Sequence, residues 1–198
     1  MPMANTLDYY NKNAGVYALS TVNCTMDGAI EEFLHVLGKK EGTILDFGCG
    51  SGRDSKAFIE KGYDVVSTDG SKEMCLEAEK LLSRPVQQMF FTELTDEDKY
   101  DGIWACASIL HLPYDTLSTV LKKKMAKALK PNGVIYASFR YGEMEGNRGE
   151  RYFTDINEEK LKKLLENVNL ECVKTWVTLD SRLDRAGDEW FNVILRKS

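Results

Sequence analysis

The chain has 198 residues, with 26 Lys and Arg against 31 Asp and Glu and a formal net charge of -5. That length suits a single domain with a sizeable core, and the acidic balance disfavours a nucleic-acid partner, which would require a local basic patch. No apolar run approaches the ~20 residues of a membrane span, the amino terminus lacks a signal-peptide pattern, and five scattered cysteines fit neither a zinc site nor a disulfide framework; a cytoplasmic protein with no membrane partner and no metal is expected.

Leu7, Tyr10, Ala14, Tyr17 and Ala18 recur at helical spacing, as do Ile30, Phe33, Leu34 and Leu37, which predicts two helices ahead of the first strand. That strand, Ile44 to Phe47, runs into Gly48-Cys49-Gly50-Ser51-Gly52-Arg53, a turn with glycine at every second position, and a helix is predicted over 54–61. Glycines there allow positive φ and close approach to a ligand, while N–H groups at the helix start offer donors. The next strand, 63–68, leads to Asp69, and Ser71 is placed to cap a helix with Met74, Cys75, Ala78, Leu81 and Leu82 on one face.

Val86 to Phe91 and Gly102 to Ala107 are apolar runs of the kind found in strands covered on both faces. A helix over Tyr114 to Leu129 follows, with Lys122-Lys123-Lys124 as a solvated face, then a strand over Val134 to Phe139. The polar segment Gly142 to Arg151 has the length of a mobile lid. A helix with Leu161, Leu164, Leu165 and Val168 inward precedes two strands, 170–179 and 190–195. The polar stretch between them, Asp180 to Asp188, has no helical pattern, so they should pair as an antiparallel hairpin.

Strand-helix alternation predicts an α/β, doubly wound, mostly parallel sheet. In such sheets ligands bind beyond the carboxyl ends of the strands, which selects residues 47–53, 69–71, 91–92, 106–111 and 138–141.

The spacing Asp46-x-Gly48-x-Gly50-x-Gly52, with Arg53 where a dinucleotide fingerprint has glycine, resembles the first motif of class I S-adenosylmethionine-dependent methyltransferases of the small-molecule type. The resemblance continues through Asp69, Tyr100-Asp101-Gly102-Ile103-Trp104 and the turn Leu129 to Gly133, and it implies a seven-stranded sheet ending in an antiparallel hairpin. It implies one domain over 1–198: helices over 1–40 that form a possible lid, a cofactor-binding core over 41–140, and a substrate loop and hairpin over 141–198. S-adenosylmethionine is the implied cofactor and S-adenosylhomocysteine its product. Gly48, Cys49, Gly50 and Gly52 would admit the aminoacyl part of that cofactor, or form an ordinary tight turn. Asp69 would accept the ribose hydroxyls, or cap a helix. Asp46 would support the loop or the cofactor's ammonium, and Arg53 would pair with its carboxylate or lie at the surface. Phe91, with Thr92 nearby, would pack on adenine or belong to the core; Gly70 and Cys106 complete the set, Gly70 standing where the family often has a larger apolar residue.

For the methyl acceptor, His111 after the fourth strand is a candidate general base or a structural histidine, whereas His35 reads as structural. Tyr10 and Tyr17 are placed to close over the site or to pack. Arg140, Tyr141, Arg148 and Arg151 are candidates to hold an anionic substrate, against a solvated loop. After the fourth strand stands Ala105-Cys106-Ala107-Ser108, not the Asn-Pro-Pro-Tyr signature of enzymes that methylate base amino groups, and no Pro-Cys nucleophile occurs. A small-molecule acceptor is therefore expected, with a protein or RNA methyltransferase, or a non-catalytic S-adenosylmethionine-binding regulatory module, as the alternatives.

Overall fold

The computed structural model describes residues 2–21, 24–180 and 187–198. Its strands are β1 (Thr43–Phe47), β2 (Asp64–Asp69), β3 (Gln87–Gln88), β4 (Tyr100–Ala105), β5 (Leu129–Arg140), β6 (Glu145–Arg148), β7 (Arg151–Thr154), β8 (Leu170–Leu179) and β9 (Glu189–Lys197). Seven of them form one sheet in the order β3-β2-β1-β4-β5-β9-β8, and β6 pairs with β7 apart from it. β1 to β5 run parallel, while β9 runs antiparallel to both neighbours. The expected hairpin of 170–179 and 190–195 is present; its connection over 181–186 lies outside the described residues.

Apolar side chains alternate between two cores, which is why the central strands read as continuous apolar runs. Leu45, Ile103, Ala105, Ile135 and Ala137 face one core, under α5 (Tyr114–Val120) and α7 (Glu158–Leu164). Ile44, Trp104, Val134 and Tyr136 face the other, under α2 (Asp27–Leu37) and α3 (Arg53–Glu60). There Trp104 and Tyr136 stack at 3.9 Å between centroids, a geometry that adds to their area burial. Ser71 caps α4 (Lys72–Leu82) as expected, accepting from Met74 N.

Three expectations are corrected. The strand over Val86 to Phe91 shrinks to the two exposed residues of β3, because the chain turns at Phe91–Glu93 into a single 3-10 turn closed by Glu93 on the Phe90 N–H. The helix over Tyr114 to Leu129 is broken by a π turn at Leu121–Met125, after which α6 (Ala126–Ala128) finishes it; the wider turn keeps Leu121 and Met125 both buried while the three lysines face outward. The segment Gly142 to Arg151 is no loose loop: most of it forms the β6–β7 hairpin, and a bidentate pair from Arg148 to Asp155 at 2.7 and 2.5 Å ties it down.

Candidate active site

One cavity of about 700 Å³ lies at the carboxyl ends of β1, β2, β4 and β5, within the size range of small-molecule sites. Its floor is the loop after β1. Gly48, Gly50 and Gly52 all have positive φ, at 89°, 56° and 85°. At Gly48 a Cβ would stand 2.5 Å from Ser108 Cβ, so only glycine fits. The loop's N–H groups are directed inward: those of Gly48 and Cys49 bond Thr68 O at 2.9 and 2.8 Å, Gly50 N bonds Asp69 Oδ2 at 2.9 Å, and Gly52 N bonds Cys49 O. The N–H groups of Gly48, Cys49 and Gly50 thus hold the loop against β2, and that of Gly52 closes a turn within it. Gly52 does not line the cavity. Its Cβ would meet Leu82 and Ala78 at 3.1–3.2 Å, so the residue is small to let α4 pack.

Asp69, at the end of β2, faces the cavity and accepts from Gly50 N and from Ser71 N at 2.8 Å. Burial pushes its carboxyl up to about 6. Asp46 lies deeper, accepting from Ser55 Oγ at 2.6 Å, with Ser67 Oγ 2.7 Å beyond. Burial, then the neighbouring Asp54, pushes Asp46 up to about 8. Arg53 forms a bidentate pair with Asp54 at 2.7 and 2.9 Å, and the same carboxylate accepts from Trp104 Nε1. The Arg53 side chain is held on its own helix, yet still lines the cavity. Cys49 and Cys106 also line it, and burial raises both thiols, Cys106 to about 12; neither is a thiolate nucleophile.

Phe91 packs edge-on against Phe47 at 4.8 Å while its edge lies by Gly48. Thr92 is exposed and outside the cavity, contrary to expectation. Its place is taken by Phe90, which with Leu7 covers Gly70: a Cβ there would come within 3.0 Å of Leu7 Cδ2 and 3.4 Å of Phe90. Those two residues supply the apolar surface that a larger residue at 70 would otherwise provide.

The roof is α1 (Pro2–Thr21), which contributes Thr6, Leu7, Tyr10, Tyr17 and Thr21. Asn11 accepts from Ser71 Oγ at 2.7 Å, and Thr6 Oγ1 accepts from Tyr152 N at 2.9 Å. Tyr10 and Tyr17 meet edge-to-face at 5.1 Å. His111, buried in a turn after β4, has Nδ1 2.6 Å from Tyr152 O and Nε2 2.9 Å from the Tyr10 hydroxyl. A carbonyl only accepts, so Nδ1 carries the proton and Nε2 accepts from Tyr10. Burial lowers His111 to about 4 and raises Tyr10, both of which are neutral near pH 7. Just before this turn Ala107 sits at φ 49°, its N–H held by Ser138 Oγ at 2.8 Å. A non-glycine residue at that φ is strained, a condition that clusters at functional sites.

Of the acceptor-side candidates, Arg140, Arg148 and Arg151 all line the cavity. Tyr141 does not: its ring is exposed, and its hydroxyl donates to Glu158 at 3.1 Å. Sequence reasoning missed Leu7, Phe90 and Asp54. The Leu7 periodicity signalled a buried helix face but not the strand end it covers. His35 stands on the exposed side of α2, away from the cavity.

This sheet order with its antiparallel β9, the glycine loop after β1 and the acidic end of β2 define the class I S-adenosylmethionine-dependent methyltransferase fold. Residues 45–135 match the family model described as "Methyltransferase domain". The chain is 30% identical over 116 residues to YqeM of Bacillus subtilis (strain 168), covering 53% of this chain and 47% of YqeM. To the malonyl-[acyl-carrier protein] O-methyltransferase of Buchnera aphidicola subsp. Baizongia pistaciae (strain Bp) it is 26% identical over 163 residues, 78% of this chain and 60% of that protein. The chain spans about half the length of the curated relatives it matches. In fold it resembles the Burkholderia thailandensis 1,6-didemethyltoxoflavin-N1-methyltransferase, solved with bound 1,6-didemethyltoxoflavin and S-adenosylhomocysteine. The TM-score is 0.76 at 22% identity, covering 97% of this chain and 85% of that one.

Proposed function

We propose that the chain is an S-adenosylmethionine-dependent methyltransferase of a small-molecule acceptor. The observation that carries this reading is that the glycine loop, Asp69 and the Tyr10–His111 pair border one continuous cavity. Asp69 would hold the ribose hydroxyls. Asp46, Gly48, Cys49, Gly50 and Arg53 would line the aminoacyl end, and Gly70, Leu7, Phe90, Phe91 and Cys106 the adenine side. The carboxylates of Asp46 and Asp69 and the apolar surface of Leu7, Phe90 and Phe91 on this wall suit a cationic, hydroxyl-bearing molecule. Bound there, S-adenosylmethionine supplies a methyl group from a sulfonium centre by direct displacement.

The chain's own residues supply alignment, exclusion of water and an outlet for the acceptor's proton. His111 Nε2 is covered by Tyr10, so His111 acts through it. As the methyl group bonds to the acceptor, the acceptor's proton passes to Tyr10 Oη and the Tyr10 proton passes to Nε2. An imidazolium results, and it then releases its proton to solvent. Tyr10 is thereby the group that meets the acceptor, and His111 the base behind it. The covering of this side by α1 and by the β6–β7 hairpin favours a small acceptor over a protein or RNA.

Titration calorimetry with S-adenosylmethionine, S-adenosylhomocysteine and NAD tests the reading. Micromolar binding of the first two and none of NAD is expected. Absence of binding by both would remove the methyltransferase assignment; binding without turnover over a broad panel of acceptors would leave the regulatory module.

A further inference from the structure

Among the described residues four arginines line the cavity, and three of them already have carboxylate partners. Arg53 is paired with Asp54, Arg140 with Asp188, and Arg148 with both oxygens of Asp155. Arg151 differs. Among the described residues no carboxylate lies within ion-pair distance of it, and its hydrogen bond is a 3.4 Å contact from Nη1 to the Tyr10 hydroxyl.

Rings hold this guanidinium in place. Its Cζ lies 4.8 Å from the Tyr9 ring centroid, 5.2 Å from that of Phe153 and 5.9 Å from that of Tyr10. Aromatic faces offset part of the desolvation of a half-buried cation, but they offer its N–H groups no carboxylate. A guanidinium has five N–H donors in a rigid fork that matches a carboxylate in bidentate fashion. In this protein the other cavity arginines show what that fork takes when an acid is near. An arginine held among rings on the wall of a cavity, with no carboxylate partner among the described residues, is a receptor for an oxyanion.

We propose, resting on the methyltransferase reading above, that the acceptor is a small aromatic oxyacid whose carboxylate docks on Arg151. The aromatic part follows from the walls around that docking point, which include Tyr10, Tyr17 and Phe153. Because Arg151 touches Tyr10, an acid held there lies beside the proton outlet. The anion also offsets the charge of Arg151 that helps depress His111, which makes the imidazole a better base when the acceptor is bound than when it is not.

The test is calorimetry on the full chain saturated with S-adenosylhomocysteine, using benzoate, salicylate and phenylacetate as probes and their amides as uncharged controls. At least one acid should bind, its amide should not, and Arg151→Gln should weaken the acid by 10-fold or more. Arg151→Lys, which keeps the charge but not the fork, should fall between them and guards against a folding defect in the first variant. Failure of all three acids to bind while S-adenosylhomocysteine binds normally overturns the proposal, as does equal binding to wild type and Arg151→Gln. A 10-fold loss of S-adenosylhomocysteine affinity in Arg151→Gln would assign this arginine to the cofactor's own carboxylate and also overturn it. Should S-adenosylhomocysteine not bind wild type at all, the underlying methyltransferase reading fails, and the proposal with it.

Discussion

The Tyr10 hydroxyl on α1 meets His111 Nε2 at 2.9 Å across 101 residues of sequence, while Tyr152 O fixes the other ring nitrogen. If this pair carries the acceptor's proton, Tyr10→Phe and His111→Gln should each lower turnover by about 100-fold and leave S-adenosylhomocysteine affinity unchanged. Tyr10→Phe should cost about 1–2 kcal/mol of stability, for the hydroxyl's bonds with His111 and Arg151. With His111 held down at about 4 by burial, its neutral form persists far below the ordinary histidine range, so the rate should show no limb near pH 6.5. Normal turnover in both variants would make the pair a structural tie between α1 and the turn after β4.

Asp69 is expected to govern cofactor affinity. Asp69→Ala should weaken binding by about 1–3 kcal/mol through lost charged hydrogen bonds, readable by calorimetry. Since burial raises this carboxyl to about 6, wild-type affinity should fall as pH drops below that value and the acceptor oxygens become protonated. An affinity flat from pH 8 to pH 5 would remove Asp69 from the site.

Asp46 sets function against stability. Its folded-state carboxyl is raised to about 8, above its ordinary unfolded value of about 4. The contribution of Asp46 to folding is therefore fully present in acid and is lost as pH rises toward 8, because the unfolded chain ionises first. Asp46→Asn can still accept from Ser55 and does not titrate. Its melting temperature should exceed that of wild type at pH 8, the gap closing toward pH 4, while cofactor affinity falls. A gap independent of pH contradicts the assignment.

Two glycines should fail in different ways. Gly52→Ala combines positive φ with contacts of 3.1–3.2 Å to Leu82 and Ala78, and should destabilise the fold by about 1–3 kcal/mol in thermal melts. Gly70→Val instead pushes on Leu7 at the cavity roof. It should leave the melting temperature nearly unchanged and raise KM, through displacement of α1. Equal thermal losses in both would place Gly70 in the core instead.

Local patterns revealed much of this molecule. The strand, glycine turn and helix around residues 44–60 are contiguous, and the closing hairpin announces itself by the lack of any helix between two strands. What the sequence hid depends on partners far along the chain. Gly52 resembles its neighbours in the loop, but its reason is α4, about 30 residues on. Arg140, Arg148 and Arg151 look alike as cations, and only the fold shows which of them Asp188 and Asp155 neutralise. Phe90 joins Phe91 on the cavity wall in place of Thr92 because a 3-10 turn replaces a strand there, which redirects side chains that a period of two would have sent to opposite faces.

The loop beneath the cavity is tied to β2 through Gly48, Cys49 and Gly50, so the entropy of ordering that part belongs to folding and not to ligand capture. The helix above is fastened at Thr6, Tyr10 and Asn11 to three separate places: β7, the turn after β4 and the start of α4. One fastening stands on the cofactor side and two on the acceptor side. Lifting this helix off the cavity therefore breaks all three ties at once, and a variant that lacks one of them should release spent product faster.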